Sequence, residues 1–463
     1  TLVVLPITVS LYFLLTYENL KVEGFLKILY FNVSIIYLFF NYEYFFWSSI
    51  VLFVFILIVK KEHFWEKLPP IWGAYLFIFY LLRILSSVFI NLDLLWRRIS
   101  SEIYASSGRF IDLLVLFENF NCNSRYGNDH CSEIYKVSYG LFLSNLGFAN
   151  NFNFWSIIIG NIFILIFLFI IYIKVITQNK LNYLLFFVLI SPPVNFLLER
   201  MNLEIVVFFI LMYTFHNYEK NILLKSSLIF CLVVFKFYPA ILFVIYLLIG
   251  YIKKNKLIIW TNAIFLIGSL SYMAYIYISS KDLVSNIAIP YGHSWTFGFQ
   301  SLYLNLIFYY QQNTDFFIVY VILISLGFFY AVSNFKNLDI EISSDQLYIF
   351  YGTAVLFLGI GLFANFDYRL IILIPCFVFL NDKKENQSLL VLICFFLITS
   401  VSPYSLIGPG IVNLGVENFT SLIIMILNQI IFIYLYYIFF ISIIKLLKTL
   451  VGATGFEPVT SSL

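Results

Sequence analysis

Charged residues are scarce in this chain of 463 residues, where Asp, Glu, Lys and Arg together make up only 11%. Apolar residues reach 62%, and the mean hydropathy is +0.95. A surface so poor in charge could not be kept in water, so a soluble fold is excluded. The chain also lacks the strict polar–apolar alternation of a membrane β-barrel. Its apolar runs are apolar on every side, which favours transmembrane helices.

Apolar runs of about 17–25 residues recur along the chain, the length that crosses a bilayer core of roughly 30 Å. They predict an all-α, polytopic transmembrane helix bundle of about 12–15 spans, with a long outer loop of interfacial helices at 91–150. No soluble domain and no internal repeat is visible in the sequence. The predicted spans lie near 2–15, 25–40, 43–60, 71–90, 153–173, 181–197, 203–216, 222–236, 237–252, 257–279, 315–333, 347–363, 369–381, 389–401 and 419–443.

Composition divides the chain into successive parts. Residues 1–70 predict N-terminal transmembrane segments, residues 71–150 one span with the first large outer loop, and residues 151–450 the main bundle. Residues 451–463 resemble the tail left when a reading frame runs into a transfer-RNA gene, so we expect no structure there. The sequence begins at Thr1 without a Met, and we expect the N-terminus to be incomplete.

Lysines collect in alternate loops, and this bias orients the chain by the positive-inside rule. The lysine-poor loops, which include 91–150, 198–202, 280–300, 364–369 and 402–418, are then outside. They hold nearly all the unusual polar residues. We therefore predict a multi-pass integral protein of a bacterial plasma membrane. The inner loops that hold lysines lie at 21–27, 60–67, 174–180, 220–225, 253–256, 336, 383–384 and 445–448.

Two acidic residues of the first outer loop, Asp93 and Asp112, lie close to the predicted bilayer surface. A carboxylate there could act as general base on an acceptor hydroxyl. It could also bind a divalent metal. The simpler alternative is a solvated loop acid or a helix cap.

Ionisable residues also occur inside or beside apolar runs, where they mark a functional site by default. Arg200 and Lys236 fall on the predicted outer side, where cations suit an anionic headgroup. Lys236 has no acidic neighbour in sequence and precedes Tyr238-Pro239, which predicts a helix break. The alternative is snorkelling, with pairing to Glu199 or Glu204.

Other outer clusters are candidates as well. His293 lies among aromatic residues in a segment that could hold a sugar or headgroup, and Arg369 follows Asp367, with which it could simply pair. Cys122 and Cys131 could form a disulfide, or remain free thiols. A zinc site on the two cysteines is less favoured because no fourth ligand is apparent, and no metal site is predicted.

The order of these elements resembles the GT-C superfamily of polytopic glycosyltransferases, and is most similar to the polyprenol-phosphate-mannose-dependent glycosyltransferase family 87. The resemblance rests on Ser191-Pro192-Pro193, on Arg200-Met201-Asn202 and on Lys236-Phe237-Tyr238-Pro239, which match the family's Arg-Gly-Asn/Gln and Lys-x-x-Pro elements around one helical hairpin. Met201 departs from the family pattern, which usually has Gly. The match covers roughly residues 71–400.

This resemblance implies transfer of a sugar on the outer face, usually with inversion, from a polyprenyl-phosphate donor to a glycan, lipid or protein acceptor. Asp93 or Asp112 would be the base, and Arg200 and Lys236 would recognise the donor phosphate. Asn202, Glu204, Tyr238, His293 and Arg369 complete the predicted substrate site. No cofactor is assigned, and no nucleic-acid partner is expected.

Two other functions remain open. One is a lipid-linked saccharide flippase or a transporter, which should have paired broken helices, whereas the sequence shows one clear break, at Tyr238-Pro239. The other is a polysaccharide polymerase or ligase, which would share the lipid-phosphate substrate. The gathering of cations on one side favours an enzyme over a flippase.

Overall fold

The computed structural model describes residues 70–88, 152–279, 296–299, 346–362, 365–380, 387–399 and 419–453, with a few single residues between them. The predictions for 1–69, for most of loop 91–150, for most of loop 280–300, for most of the span 315–333 and for 402–418 lie outside these residues. So do Asp93, Asp112, Cys122, Cys131 and His293. The last described helix ends at Ala453, just inside the predicted tail.

The described residues are almost entirely helical, which confirms the all-α prediction for this part of the chain. A two-residue antiparallel ladder, β1 (Thr296–Phe297) with β2 (Asn365–Phe366), joins two loops that were predicted to share the outer face. In chain order the helices are α1 (Pro70–Val88), α2 (Phe152–Ile171), α3 (Tyr183–Leu189), α4 (Pro192–Arg200), α5 (Glu204–Phe215), α6 (Ile222–Phe235), α7 (Ile241–Ile252), α8 (Lys256–Ser279), α9 (Leu347–Gly361), α10 (Ile374–Leu380), α11 (Gln387–Thr399) and α12 (Phe419–Ala453).

Local sequence explains the ends of several helices. Asn182 caps α3, because its side-chain oxygen accepts a hydrogen bond from the backbone N–H of Leu185 at 2.9 Å. Pro192 stands in the first turn of α4, where its missing N–H costs nothing. Pro239 lies in a short 3₁₀ helix, Tyr238–Ala240, between α6 and α7, so the predicted break there is confirmed.

The prediction of a single helix break is wrong. The run 181–197, predicted as one span, consists of α3 and α4, which are separated by a bend at Ser191. A 3₁₀ helix, Asp367–Leu373, also precedes α10. A π-helical turn, Tyr172–Ile176, follows α2.

Helices α5 and α6 form an antiparallel hairpin joined by the turn 216–221, and α8 packs against both α6 and α7. Around this group, α9 packs on α7 and on α12, and α11 packs on α3 and α12. Large aromatic side chains fill the contacts. The fully buried ring of Phe357, for example, lies against Phe396, Phe432 and Phe439.

Within the described residues, three helices are long and apolar enough to cross a membrane: Phe154–Ile176, Lys256–Ile278 and Asn428–Lys448. The chain is therefore a membrane-associated helical protein. Other apolar helices have 10–17 residues. At 1.5 Å per residue they extend about 15–26 Å, which is less than a bilayer core of roughly 30 Å. Helix length alone does not show how many of these shorter helices cross the membrane, so the number of about 12–15 spans remains a prediction.

Candidate functional site

A buried carboxylate lies at the end of the α5–α6 hairpin opposite the turn 216–221, and three other polar side chains contact it. Glu204 is the first residue of α5, and its side chain is fully buried. Its Oε1 atom lies 3.7 Å from the ammonium of Lys236 and 3.2 Å from Nε of Arg369. The hydroxyl of Tyr238 donates a hydrogen bond to the other oxygen, Oε2. We call these four residues the Glu204 cluster.

Each member of the Glu204 cluster is placed by a helix end. Lys236 is the residue at which α6 stops, and its backbone N–H still donates to the carbonyl of Leu232 at 2.7 Å. Tyr238 begins the 3₁₀ helix that Pro239 forces, and Arg369 belongs to the 3₁₀ helix before α10. Side chains at such breaks can point across the bundle end rather than along one helix face.

Glu204 suits its position electrostatically. A carboxylate in the first turn of a helix is favoured by the positive end of the helix dipole. Asn202 supports this turn, since its side-chain oxygen accepts a hydrogen bond from the backbone N–H of Glu204 at 3.2 Å. A buried carboxylate without cations would be strongly destabilising, so Lys236 and Arg369 are needed where they are.

The two cations keep access to solvent. The side chain of Lys236 is 19% exposed and that of Arg369 is 27% exposed, whereas Glu204 is 0% exposed. Two cationic side chains are therefore partly exposed side by side, where an anion can approach them from solvent.

Met201 forms the turn that connects the end of α4 with the Glu204 cluster. Its backbone is left-handed, with φ 52° and ψ 55°, and its side chain is 1% exposed. Its N–H donates to the carbonyl of Leu197 at 2.7 Å and ends α4. A left-handed residue at this position is normally Gly, because other side chains are strained there. Arg200 lies one residue earlier and is half-buried, on a helix that packs against the 3₁₀ helix of Arg369.

The structure therefore brings together Glu204, Lys236, Tyr238 and Arg369, with Asn202 at their base. The pairing of Lys236 with Glu204, one of the alternatives from the sequence, is confirmed. Arg369 forms an ion pair with the same carboxylate. The alternative pairing of Arg369 with Asp367 stays a prediction, because the side chain of Asp367 lies outside the described residues.

Sequence reasoning missed Arg83 of α1. Its side chain is 2% exposed, and its guanidinium lies 5.1 Å from the ring centre of Phe110, which belongs to the loop 91–150 that was predicted to lie outside. A cation–π contact of this kind compensates part of the loss of hydration. The signal was available, since Arg83 is a charge within an apolar run, like Lys236.

A second polar cluster at the far end of the α5–α6 hairpin was also missed. Glu219 contacts the ammonium of Lys253 and accepts a hydrogen bond from the hydroxyl of Tyr348 at 3.2 Å. The hydroxyl of Tyr218 lies 2.7 Å from that of Ser226, and burial raises the pKa of Tyr218 to about 12. These contacts tie together two loops that the lysine pattern placed on one face.

Comparisons with known proteins return no match for this chain: no family model, no curated protein and no solved structure is similar enough to be recognised.

Proposed function

We propose that this protein is a polytopic membrane glycosyltransferase of the GT-C type. It transfers a hexose, such as mannose, from a polyprenyl-phosphate donor to an acceptor hydroxyl on the outer face of the membrane. The observation that carries the proposal is the Glu204 cluster, in which two cations from distant segments share one buried carboxylate.

The convergence of two cations supports an anion site. Lys236 and Arg369 come from separate segments, and both approach the carboxylate of Glu204. Their partial exposure leaves them able to contact a phosphate that arrives from the membrane surface. In the proposed reaction the donor phosphate leaves, and the two cations stabilise the negative charge that it gains.

The backbone at Met201 supports the family resemblance. The resembled family usually has Gly at this position, and here the chain adopts φ 52°, the conformation that Gly allows without strain. This chain therefore keeps the turn although it lacks the Gly. The turn leads through Asn202 directly to Glu204, so it positions the proposed phosphate site.

In the proposed reaction the acceptor oxygen attacks the anomeric carbon of the donor sugar, and the bond from that carbon to the phosphate oxygen breaks. Asp93 or Asp112 takes the proton of the acceptor hydroxyl. The lipid phosphate departs toward Lys236 and Arg369. Arg200, Asn202 and Tyr238 border the donor, and the first outer loop covers the reaction.

The proposal includes a multi-pass arrangement in the plasma membrane of a bacterium. The short described helices then cross the bilayer as broken or tilted pairs, such as α3 with α4. The Glu204 cluster lies at the outer end of the α5–α6 hairpin, and Lys253 at the inner end. The ladder between β1 and β2 closes the outer face beside Arg369.

The test measures transfer from a polyprenyl-phosphate sugar by the purified protein in detergent. Lys236→Ala and Arg369→Ala should each weaken donor binding about 10- to 100-fold, because each removes one hydrogen bond to a charged phosphate. Lys236→Arg should restore binding only partly, since the two cations differ in shape.

Lys256→Ala is the matched control, because Lys256 is exposed at the other end of the molecule. It should behave as wild type. Unchanged donor binding in both Lys236→Ala and Arg369→Ala, with both proteins folded, would reject the phosphate site. Absence of transfer with retained donor binding would instead point to the second candidate.

A lipid-linked saccharide flippase or transporter is that second candidate, and the bend between α3 and α4 favours it. This bend, at Ser191, interrupts one predicted span, as in discontinuous transporter helices. Proteoliposomes that contain a fluorescent lipid-linked sugar separate the two functions. A flippase moves the label between leaflets without cleaving it, whereas a transferase releases polyprenyl phosphate.

A further inference from the structure

A cavity of about 420 Å³ lies at the far end of α5, away from the Glu204 cluster. Its walls come from the end of α2 with the π-helical turn, from the last turns of α5, and from the turn 216–221 with the start of α6. We call it the basic cavity. Its volume falls in the usual range of small-molecule sites, about 300–1,000 Å³.

The polar side of the basic cavity is cationic. Lys174, Lys220 and Lys225 line it together with His216, and among the described residues its lining includes no Asp or Glu. Burial lowers the pKa of His216, and the positive charges of these lysines and of Lys180 lower it further. Positive charges this close together repel one another, and a bound anion would offset that repulsion.

Lys225 contributes positive charge to the basic cavity and also stabilises the turn 216–221 at its edge. Its ammonium donates hydrogen bonds to the backbone carbonyls of His216 and Asn217, each at 2.5 Å, and lies 5.6 Å from the ring centre of Tyr213. It therefore fixes the turn that closes one side of the cavity. Lys174 comes from the π-helical turn, a feature found often at functional sites.

The remaining wall is apolar and opens outward. Phe169, Ile173 and Tyr213 line the cavity and are 62%, 38% and 48% exposed, respectively. Phe169 and Ile173 belong to Phe154–Ile176, which is long and apolar enough to cross a membrane. The cavity thus sits at the end of a membrane-spanning helix, where lipid headgroups lie, with a charged floor and an apolar entrance.

We propose that the basic cavity binds an anionic phospholipid, with the phosphate headgroup between Lys174, Lys220 and His216 and the acyl chains along Phe169, Ile173 and Tyr213. Charge complementarity selects an anionic headgroup, and the exposed apolar wall selects an amphiphile over a free ion. The site is separate from the Glu204 cluster, because the two lie at opposite ends of α5. It is independent of the proposed sugar transfer.

The experiment compares lipid binding by the full-length protein in detergent, measured by native mass spectrometry. The probes are phosphatidylglycerol, phosphatidylcholine and inorganic phosphate. The test variant is Lys174→Gln with Lys220→Gln, which keeps Lys225 and its support of the turn. The control is Lys254→Gln with Lys256→Gln, which removes two exposed lysines at the same end of the molecule but outside the cavity.

Wild type should bind phosphatidylglycerol in preference to phosphatidylcholine. The cavity variant should bind phosphatidylglycerol at least tenfold more weakly, because one surface lysine contributes about fivefold to binding of an anionic membrane. The control should change little. Equal thermal stability of both variants checks that they are folded.

Three outcomes would overturn the proposal. Equal binding of the two phospholipids would mean that no anionic headgroup is selected. An equal loss in the cavity variant and in the control would assign the binding to the general surface charge. Inorganic phosphate that competes as well as the phospholipid would make this a free-phosphate site and remove the role of the apolar wall.

Discussion

Glu204 and Lys236 lie at the two chain ends of one helical hairpin, and their side chains meet with Oε1 and Nζ 3.7 Å apart. Helices α5 and α6 are 12 and 14 residues long, so the start of the first returns to the level of the end of the second. A charge at each of these positions is costly alone in an apolar bundle. Together, and with Arg369, they form a compensated cluster in which both cationic side chains remain partly exposed.

Replacement of Glu204 tests whether its cations form an anion site. In Glu204→Gln, Lys236 and Arg369 lose the carboxylate that they share, and breaking such a buried pair costs about 3–5 kcal/mol. The lower end is expected because both cations reach solvent. An added polyprenyl phosphate should then raise the melting temperature of the variant more than that of wild type.

Glu219→Gln is the matched control for this experiment, since it removes the acid that contacts Lys253 at the other end of the hairpin. Its response to polyprenyl phosphate should equal that of wild type. If the ligand stabilises neither wild type nor Glu204→Gln, the cluster only holds helices together.

Substitutions at Met201 separate backbone strain from burial. Both Met201→Ala and Met201→Gly remove a buried side chain, which costs about 2–5 kcal/mol. Gly also relieves the left-handed strain, worth about 1–2 kcal/mol. Unfolding of the purified proteins in a denaturing detergent should therefore rank wild type above Met201→Gly and Met201→Gly above Met201→Ala.

Met212 provides the comparison, because it is equally buried but lies within the α-helix α5. There Gly should be about 1 kcal/mol less stable than Ala, since helix propensity disfavours Gly. The same order of Ala and Gly at both positions would contradict the left-handed conformation of Met201.

The imidazole of His216 should titrate below its ordinary pKa of 6.5 in lipid-free protein. Partial burial is the largest cause of the lower pKa, and the positive charges of Lys174, Lys180, Lys220 and Lys225 add to it. Since the pKa is lower in the folded state, the stabilising contribution exists above pH 6.5 and is lost as the pH falls through 6.5 toward the folded value.

Nuclear magnetic resonance of labelled histidines measures this pKa directly, with the signal of His216 assigned by its loss in His216→Gln. The same variant should have a melting temperature that falls less steeply between pH 7 and pH 5. A titration midpoint at or above 6.5 would contradict the lowered pKa and both of its causes, burial and the nearby lysines.

The orientation of α8 tests the predicted topology. A single cysteine at Lys254→Cys precedes α8, and one at Ser294→Cys follows it, in a chain whose five native cysteines are replaced. A membrane-impermeant thiol reagent added to intact cells should label Ser294→Cys only. Labelling of Lys254→Cys under the same conditions would reverse the topology and place the Glu204 cluster inside.

Much of the helical framework was predictable, because a long apolar run in a membrane has few alternatives to a helix. The hairpin of α5 and α6 and the break at Pro239 follow the sequence closely. The bend at Ser191 was not predicted, although Pro192 follows it in the sequence. Pro is also common in the first turn of a helix, so its presence alone does not indicate a bend. The spacing of apolar residues carries no information on such a bend.

The sequence by itself determined that this chain is apolar and helical, and it marked Glu204, Lys236, Tyr238 and Arg369 as unusual for their surroundings. Only the tertiary structure decided which of them meet. Partners of a buried charge come from any segment that the packing brings within a few ångströms. The sequence therefore left the pairing of Lys236 with Glu204 as one alternative and did not indicate that Arg369 reaches the same carboxylate. The fold pairs both with Glu204, since a buried carboxylate is stable only where cations from neighbouring elements converge on it.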